Sequence, residues 1–389
     1  MSNIINFGGG ATNIPTPFKP EGKSYLTFSS PSSFTLAVND AIKHWDGTLE
    51  YFDSDKTWTV WDGTTTLSAV DNDGEYVLYL RGTGNTKIGY YSVDNDDYIP
   101  WTINGTDVRC DGNIETLLDY ATVEAGQHST MEDDCFAGLF MGCTALTQAP
   151  TLPATTLAPY CYNSMFQGCT ALTQAPALPA TTLAEACYSH MFHDCTSLTQ
   201  APNLPATTLA NNCYENMFYG CTSLTQAPAL PATTLATYCY RHMFGGCTSL
   251  TQAPALPAIT LGYSCYENMF FGCTSLTQAP ALPATMLANY CYNNMFRGCT
   301  FLKLSSSKTG EYTQEYHIPS SGTGTTATNA LTDMFTSTGG TFTGTPEINT
   351  TYYLSTDNMI VRETEVATLN GYVGSMIDAA IGNAIGGSY

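Results

Sequence analysis

The sequence predicts an α+β multidomain fold: an N-terminal antiparallel β-sandwich followed by a solenoid of 26-residue units with caps. Two observations carry this. Cysteines fall in seven pairs, Cys135/Cys143, Cys161/Cys169, Cys187/Cys195, Cys213/Cys221, Cys239/Cys247, Cys265/Cys273 and Cys291/Cys299, each pair 8 residues apart and each starting 26 after the last. Ahead of them, short apolar alternations are separated by turn dipeptides, as in a sandwich. A fixed period of this length marks a stacked array, in which one unit cannot bury its apolar face alone but neighbours can.

The 389 residues exceed one ordinary compact domain. Residues 1–22, with the run Gly8-Gly9-Gly10 and Pro15, Pro17 and Pro20, read as an extended anchoring arm. Residues 23–108 read as the sandwich: Leu26/Phe28, Phe34/Leu36/Val38, Leu49/Tyr51, Trp58/Val60 and Tyr76/Leu78/Leu80 alternate between Asp46-Gly47, Asp62-Gly63 and Asp73-Gly74 turns. Residues 109–134 are expected to cap the solenoid, 135–302 to form it, and 303–356 to close it, with Ala330–Phe335 echoing the unit. Over 357–389, Leu369, Val373, Met376 and Ala380 suggest a short amphipathic helix suited to a homo-oligomer contact.

Charge is uneven. Residues 1–134 hold 21 acidic against 7 basic side chains, 135–302 hold 4 against 2, and 303–389 hold 8 against 3. Such a chain repels phosphate backbones, so no nucleic-acid partner is expected. No run of 18 apolar residues occurs, so no membrane insertion is expected either. The start has neither a basic nor an apolar segment of a secretory signal.

Within a unit, Leu183, Cys187 and Met191 sit at i, i+4 and i+8 beside Ala184, Tyr188 and Phe192, which reads as one helix face. Thr182 would cap it, with Glu185 closing a capping box, and Gly168, Gly220, Gly246, Gly272 and Gly298 would end the helices. Cys-Thr-Ser-Leu-Thr-Gln-Ala then reads as a short strand before a proline-set return. At roughly 4.8 Å per unit, seven copies would make a rod about 35 Å long.

The string MFxGCTSLT, with Met165–Phe166, Gly168–Cys169 and Leu172 as one instance, resembles the BspA-like leucine-rich repeats. The match covers residues 135–302, with a longer unit because of the Ala-Leu-Pro-Ala-Thr-Thr insertion. The resemblance implies a leucine-rich-repeat-like solenoid, and a role like that of bacterial surface adhesins or of similar arrays in phages.

The cysteines admit disulfides, metal clusters or a ladder of buried free thiols, and their register with core residues favours the ladder. Cys187-x-x-His190-x-x-His193-Asp194-Cys195 has ligand types that suit zinc, yet both cysteines belong to the ladder; no metal and no cofactor is assigned. Asp71/Asp73/Glu75 and Asp94/Asp96/Asp97 do not complete a calcium loop. No catalytic motif appears, so no enzyme is expected. Thr-Gln recurs unchanged from Thr147-Gln148 to Thr277-Gln278, while variation gathers on the other side. Tyr160, Asn163, Tyr219, Tyr238, Arg241, His242, Phe271, Tyr290 and Arg297 are the candidate binding residues. The expected function is a bacteriophage fibre or decoration protein on the virion surface. It would be held by capsid or tail proteins and present the array to a host-surface glycan or protein. A secreted cell-surface adhesin is the alternative.

Overall fold

The computed structural model describes residues 18–22, 25–89, 91–92 and 97–356. Most of the opening arm, the acidic pair Asp94/Asp96, and the whole 357–389 segment with its Leu369–Ala380 stripe lie outside the described residues.

Strand Glu75–Thr83 runs through the middle of the larger N-terminal sheet. It pairs antiparallel with Leu26–Ser30 on one side and Thr48–Phe52 on the other. Val108–Asp111 and Trp58–Trp61 extend the sheet outward. A second antiparallel sheet joins Thr35–Val38 to Trp101–Asn104 and Leu67–Ser68. Side chains alternate between faces along a strand, so Leu36 and Val38 point inward together. With Phe28, Leu49, Trp61, Leu78 and Trp101 they belong to the core that continues into the repeats. The helix Thr116–Glu124 lies so close to the central strand that a Cβ at Gly82 would stand 1.6 Å from the Leu117 carbonyl oxygen. Asn85 pins this junction: its Nδ2 donates to Leu117 O and Thr48 O at 2.9 and 2.8 Å.

The fold class read from the sequence is corrected here. Among the described residues the chain is almost all β, about 3% helical and 22% strand, in several separate sheets, with no helix in each unit and no leucine-rich-repeat-like solenoid of helix and strand. The i, i+4, i+8 pattern belongs to a chain of reverse turns. The N–H groups of Cys161, Asn163, Met165, Gln167 and Cys169 donate to the carbonyl three residues back, at 2.9–3.3 Å. The N–H groups between them, from Tyr160 to Gly168, donate to carbonyls 25 residues ahead, in the next copy, at 2.7–3.0 Å. Tyr160, Ser164 and Gly168 all have positive φ, a left-handed residue every fourth position that an α-helix does not hold. Over nine residues a period of four is indistinguishable from 3.6, which is why the pattern reads as helical. Thr182 therefore caps nothing; it forms a parallel bridge with Thr156. The glycines expected to end helices are the last left-handed position of each row.

The rows stack. Rings at the Tyr162 position stand 5.8–5.9 Å apart from Phe136 to Tyr292, with planes within 10°. A second file runs from Phe140 to Phe296 at 5.6–5.8 Å. Carbon atoms touch at about 3.5–4.0 Å, so parallel rings at this spacing are offset, the arrangement their quadrupoles favour. The spacing is wider than the strand repeat expected of the units. Continuous strands between rows are absent too among the described residues, apart from Leu146–Gln148 beside Val108–Asp111. Elsewhere single bridges link Gln148, Gln174, Gln200 and Gln226 in turn.

Both ends are closed. At the start, Trp101 N donates to Leu139 O at 2.8 Å and the Trp101 ring meets Phe140 edge-on. At the other end, the expected Ala330–Phe335 helix is another turn row, with Asn329, Asp333 and Ser337 at positive φ. Phe335 stacks on Phe296 at 5.4 Å. A four-stranded sheet of Lys303–Ser305, Tyr312–His317, Gly339–Gly340 and Thr351–Ser355 packs beside it.

One row departs from the pattern. Asp194 holds, at φ 57°, the place of Gly168 and Gly220. A residue with a Cβ is disfavoured there by about 1 kcal/mol. Asp194→Gly is expected to raise stability by about 0.5–1 kcal/mol, read as a higher urea midpoint at unchanged m; a lower midpoint would mean that the His193 contact outweighs the backbone strain.

Candidate functional site

The column has two faces of different chemistry. All six charged residues of 135–302, namely Glu185, Asp194, Glu215, Arg241, Glu267 and Arg297, lie in the turn rows, as do His190, His193 and His242. The intervening stretches 144–158, 170–184, 196–210, 222–236, 248–262 and 274–288 contain no Asp, Glu, Lys, Arg or His at all.

On the turn face the structure places the candidate residues in pairings with one another. Arg241 bridges three rows, Nη1 to Glu215 Oε1 at 2.8 Å and Nε to Glu267 Oε2 at 3.2 Å, while its guanidinium lies over the Tyr238 ring. Tyr238 meets Tyr263 edge-on at 5.4 Å, and Tyr263 meets Tyr290 at 5.6 Å. Tyr219 stacks on His193 at 4.9 Å and tilts against His242. Asn163 is corrected as a contact residue: it is buried, its Oδ1 accepting the Ser164 hydroxyl at 2.9 Å. Phe271 is half-buried. Tyr160 and Arg297 remain exposed, with Arg297 Nη1 reaching Asn294 Oδ1 at 3.4 Å. The ion-pair row could have been found in the sequence, because Glu215, Arg241 and Glu267 stand 26 apart with alternating sign.

Removing Arg241 leaves two carboxylates facing each other across a half-buried gap. Arg241→Ala is expected to cost about 1–3 kcal/mol, the range for stranding a partly desolvated charge rather than the smaller value of an exposed pair. Urea titration at low and high salt checks it; a loss below about 0.3 kcal/mol at low salt would contradict the bridge.

Burial, reinforced by Arg241, lowers the His242 pKa to about 4, and its Nδ1 is buried without a hydrogen-bond partner. The neutral ring is therefore the folded form. The unfolded chain takes up its proton near pH 6.5, so the stability tied to this group is present above that pH and is lost as pH falls towards 4. His242→Asn, the residue found at Asn216 and Asn268, is expected to flatten the stability curve between pH 6.5 and 4. An unchanged acid limb would place the titrating group elsewhere.

The thiols are interior. All fifteen cysteines are free and buried. In the second file Cys169 Sγ donates to Phe140 O at 3.1 Å, and the same contact recurs down to Cys299 and Phe270 at 3.0 Å. The thiol thus joins successive rows with a weak hydrogen bond while filling the core as a small apolar group. Burial pushes Cys143, Cys187, Cys273 and Cys291 up to about 12. No group of three or more His, Cys, Asp or Glu is placed to hold a metal among the described residues. His190 and His193 do approach, at 5.7 Å between rings, but Cys187 and Cys195 are fully buried.

A cavity of about 390 Å³ opens where the first rows meet the loop at residues 127–131. The buried Glu115 carboxylate lines it, accepting from His128 Nδ1 at 3.0 Å and from Ser129 N at 3.1 Å. Ser129 Oγ turns to the carbonyls of Glu115 and Asp119 instead of to the imidazole. As arranged, this group fastens a loop and forms no nucleophile–base pair.

Compared with protein families, with curated proteins and with solved structures, the chain matches none of them. The resemblance to BspA-like repeats thus rests on the Met-Phe-x-Gly-Cys-x-x-Leu motif alone.

The uncharged face was not among the candidate sites. Gln174, Gln200, Gln226 and Gln252 are exposed and recur one row apart, and their amides have no hydrogen-bond partner among the described residues. Between Gln226 and Gln252 lies a trough of about 520 Å³, floored by Ala227, Ala253 and Pro254. It runs into apolar hollows of about 310 and 330 Å³ lined by Ala, Leu and Pro. The sequence signal was present in the charge-free stretches, each an unchanged or nearly unchanged copy.

Proposed function

We propose that the chain is a non-enzymatic structural and binding protein of a virion surface that offers its repeat column to host-surface molecules. The observation that carries this reading is the uncharged Thr-Gln face: a side-chain array repeated in register whose amides, from Gln174 to Gln252, are taken up by no pairing among the described residues. Core positions repeat because rows must stack, but exposed glutamines need not repeat for that reason. Fifteen free thiols fit a chain folded in a reducing compartment, as virion components are, better than one matured outside the cell.

Density-gradient separation of the producing culture, probed with an antibody to the full chain, tests the placement. Co-migration with capsid and tail proteins is expected. Recovery with cell envelopes alone would replace the virion role with that of a cell-surface adhesin. Recovery only in the soluble fraction would overturn the reading.

A further inference from the structure

Resting on that surface role, we propose that the Thr-Gln face binds an uncharged linear polysaccharide lying along the column. Four observations converge on this class of ligand. The six consecutive stretches that build the face carry no ionisable side chain of their own, and the carboxylate that meets them, Asp111 beside Gln148, is itself an anion, so the face offers nothing to balance a phosphate, sulfate or carboxylate on a ligand. Burying a ligand charge there would leave it unpaired, at a large desolvation cost. Gln200, Gln226 and Gln252 each present a primary amide, which donates and accepts and so matches the hydroxyl groups of a sugar. Pro254 and its neighbours form an apolar floor beside those amides, suited to the C–H face of a pyranose ring.

The fourth observation is the repetition itself. A single small ligand would need one such trough. A polymer of like units meets the same contact at each row, and weak contacts sum through effective concentration. The turn face lacks these properties, since its charged and aromatic groups are engaged with each other through Arg241, Tyr238 and Tyr219.

Affinity electrophoresis of the full-length chain tests the assignment, in native gels carrying hydroxyethyl cellulose, mannan, dextran or heparin. Retardation by at least one neutral polymer and not by heparin is expected. The double variant Gln226→Ala/Gln252→Ala should bind that polymer at least tenfold more weakly, while Glu185→Ala, at an exposed residue of the turn face, binds as the unaltered chain does. The glutamines are exposed, so the double variant should fold, and an unchanged circular dichroism melt verifies this. Free passage through every neutral gel, retardation by heparin alone, or equal retardation of the double variant would each overturn the proposal. Sedimentation of the same proteins examines the competing occupant: a dimer of the unaltered chain lost in the double variant would assign the face to a second copy and overturn it as well. Should the chain co-migrate with particles yet pass all neutral gels, the surface role stands and only this ligand falls.

Discussion

Raising the pH above about 9 is expected to unfold the repeat column steeply, well before ordinary surface groups would do so. Cys143, Cys187, Cys273 and Cys291 are held near 12 by burial, whereas an unfolded thiol ionises near 8.5. The sign follows directly. Between those values the unfolded chain has released protons that the folded chain still holds, so stability falls as pH rises. Each such group contributes about 1.4 kcal/mol per pH unit once its unfolded form is ionised. These four alone then remove about 5 kcal/mol per unit, comparable with the total stability of a typical domain. Circular dichroism and tyrosine absorbance between pH 7 and 11 check the result; a folded column at pH 11 would refute the buried-thiol account. The same burial makes the thiols silent to alkylating reagent at pH 8 in the native chain. In denaturant without reductant all fifteen should react, giving the mass of fifteen adducts. Fewer adducts would reveal bridges.

The second large effect concerns the ring files. Phe218 is fully buried and stacks on Phe192 and Phe244 at 5.7 and 5.8 Å. Phe218→Ala removes a large core side chain, worth about 3–5 kcal/mol, and two ring pairs worth about 0.5–1.5 kcal/mol each beyond their area. The larger consequence is loss of coupling. Rows touch only their neighbours, so a weakened row in the middle divides the array into two parts that open separately. A single urea transition is expected to become two, with the row from Cys213 to Cys221 as the break. Hydrogen exchange resolved by row would localise it. A uniform fall in midpoint with one sharp transition would show that the stack is cooperative over its whole length despite the missing ring.

Much was legible in the residues taken alone. The 26-residue period, the interior cysteines, the glycines at positive φ and the unchanged Thr-Gln file all follow from residue type and spacing, because each reflects a local demand: burial, backbone conformation or identity of neighbours. Strands such as Leu26–Ser30 and Glu75–Thr83 were visible for the same reason.

What only the tertiary structure decided is where hydrogen bonds go and which surface stays unoccupied. The N–H of Tyr162 has the same sequence around it whether it bonds back within a helix or forward to Cys187; the presence of the next copy favours the second, and the row becomes turns. The turn-face residues carry the groups expected of a binding surface, yet Arg241 finds Glu215 and Glu267 in adjacent rows and is satisfied. Gln226, of plainer chemistry, finds no such partner. A side chain's availability depends on what stands beside it after folding, across 26 residues of chain, and that is information the order of residues holds only once the stack is built.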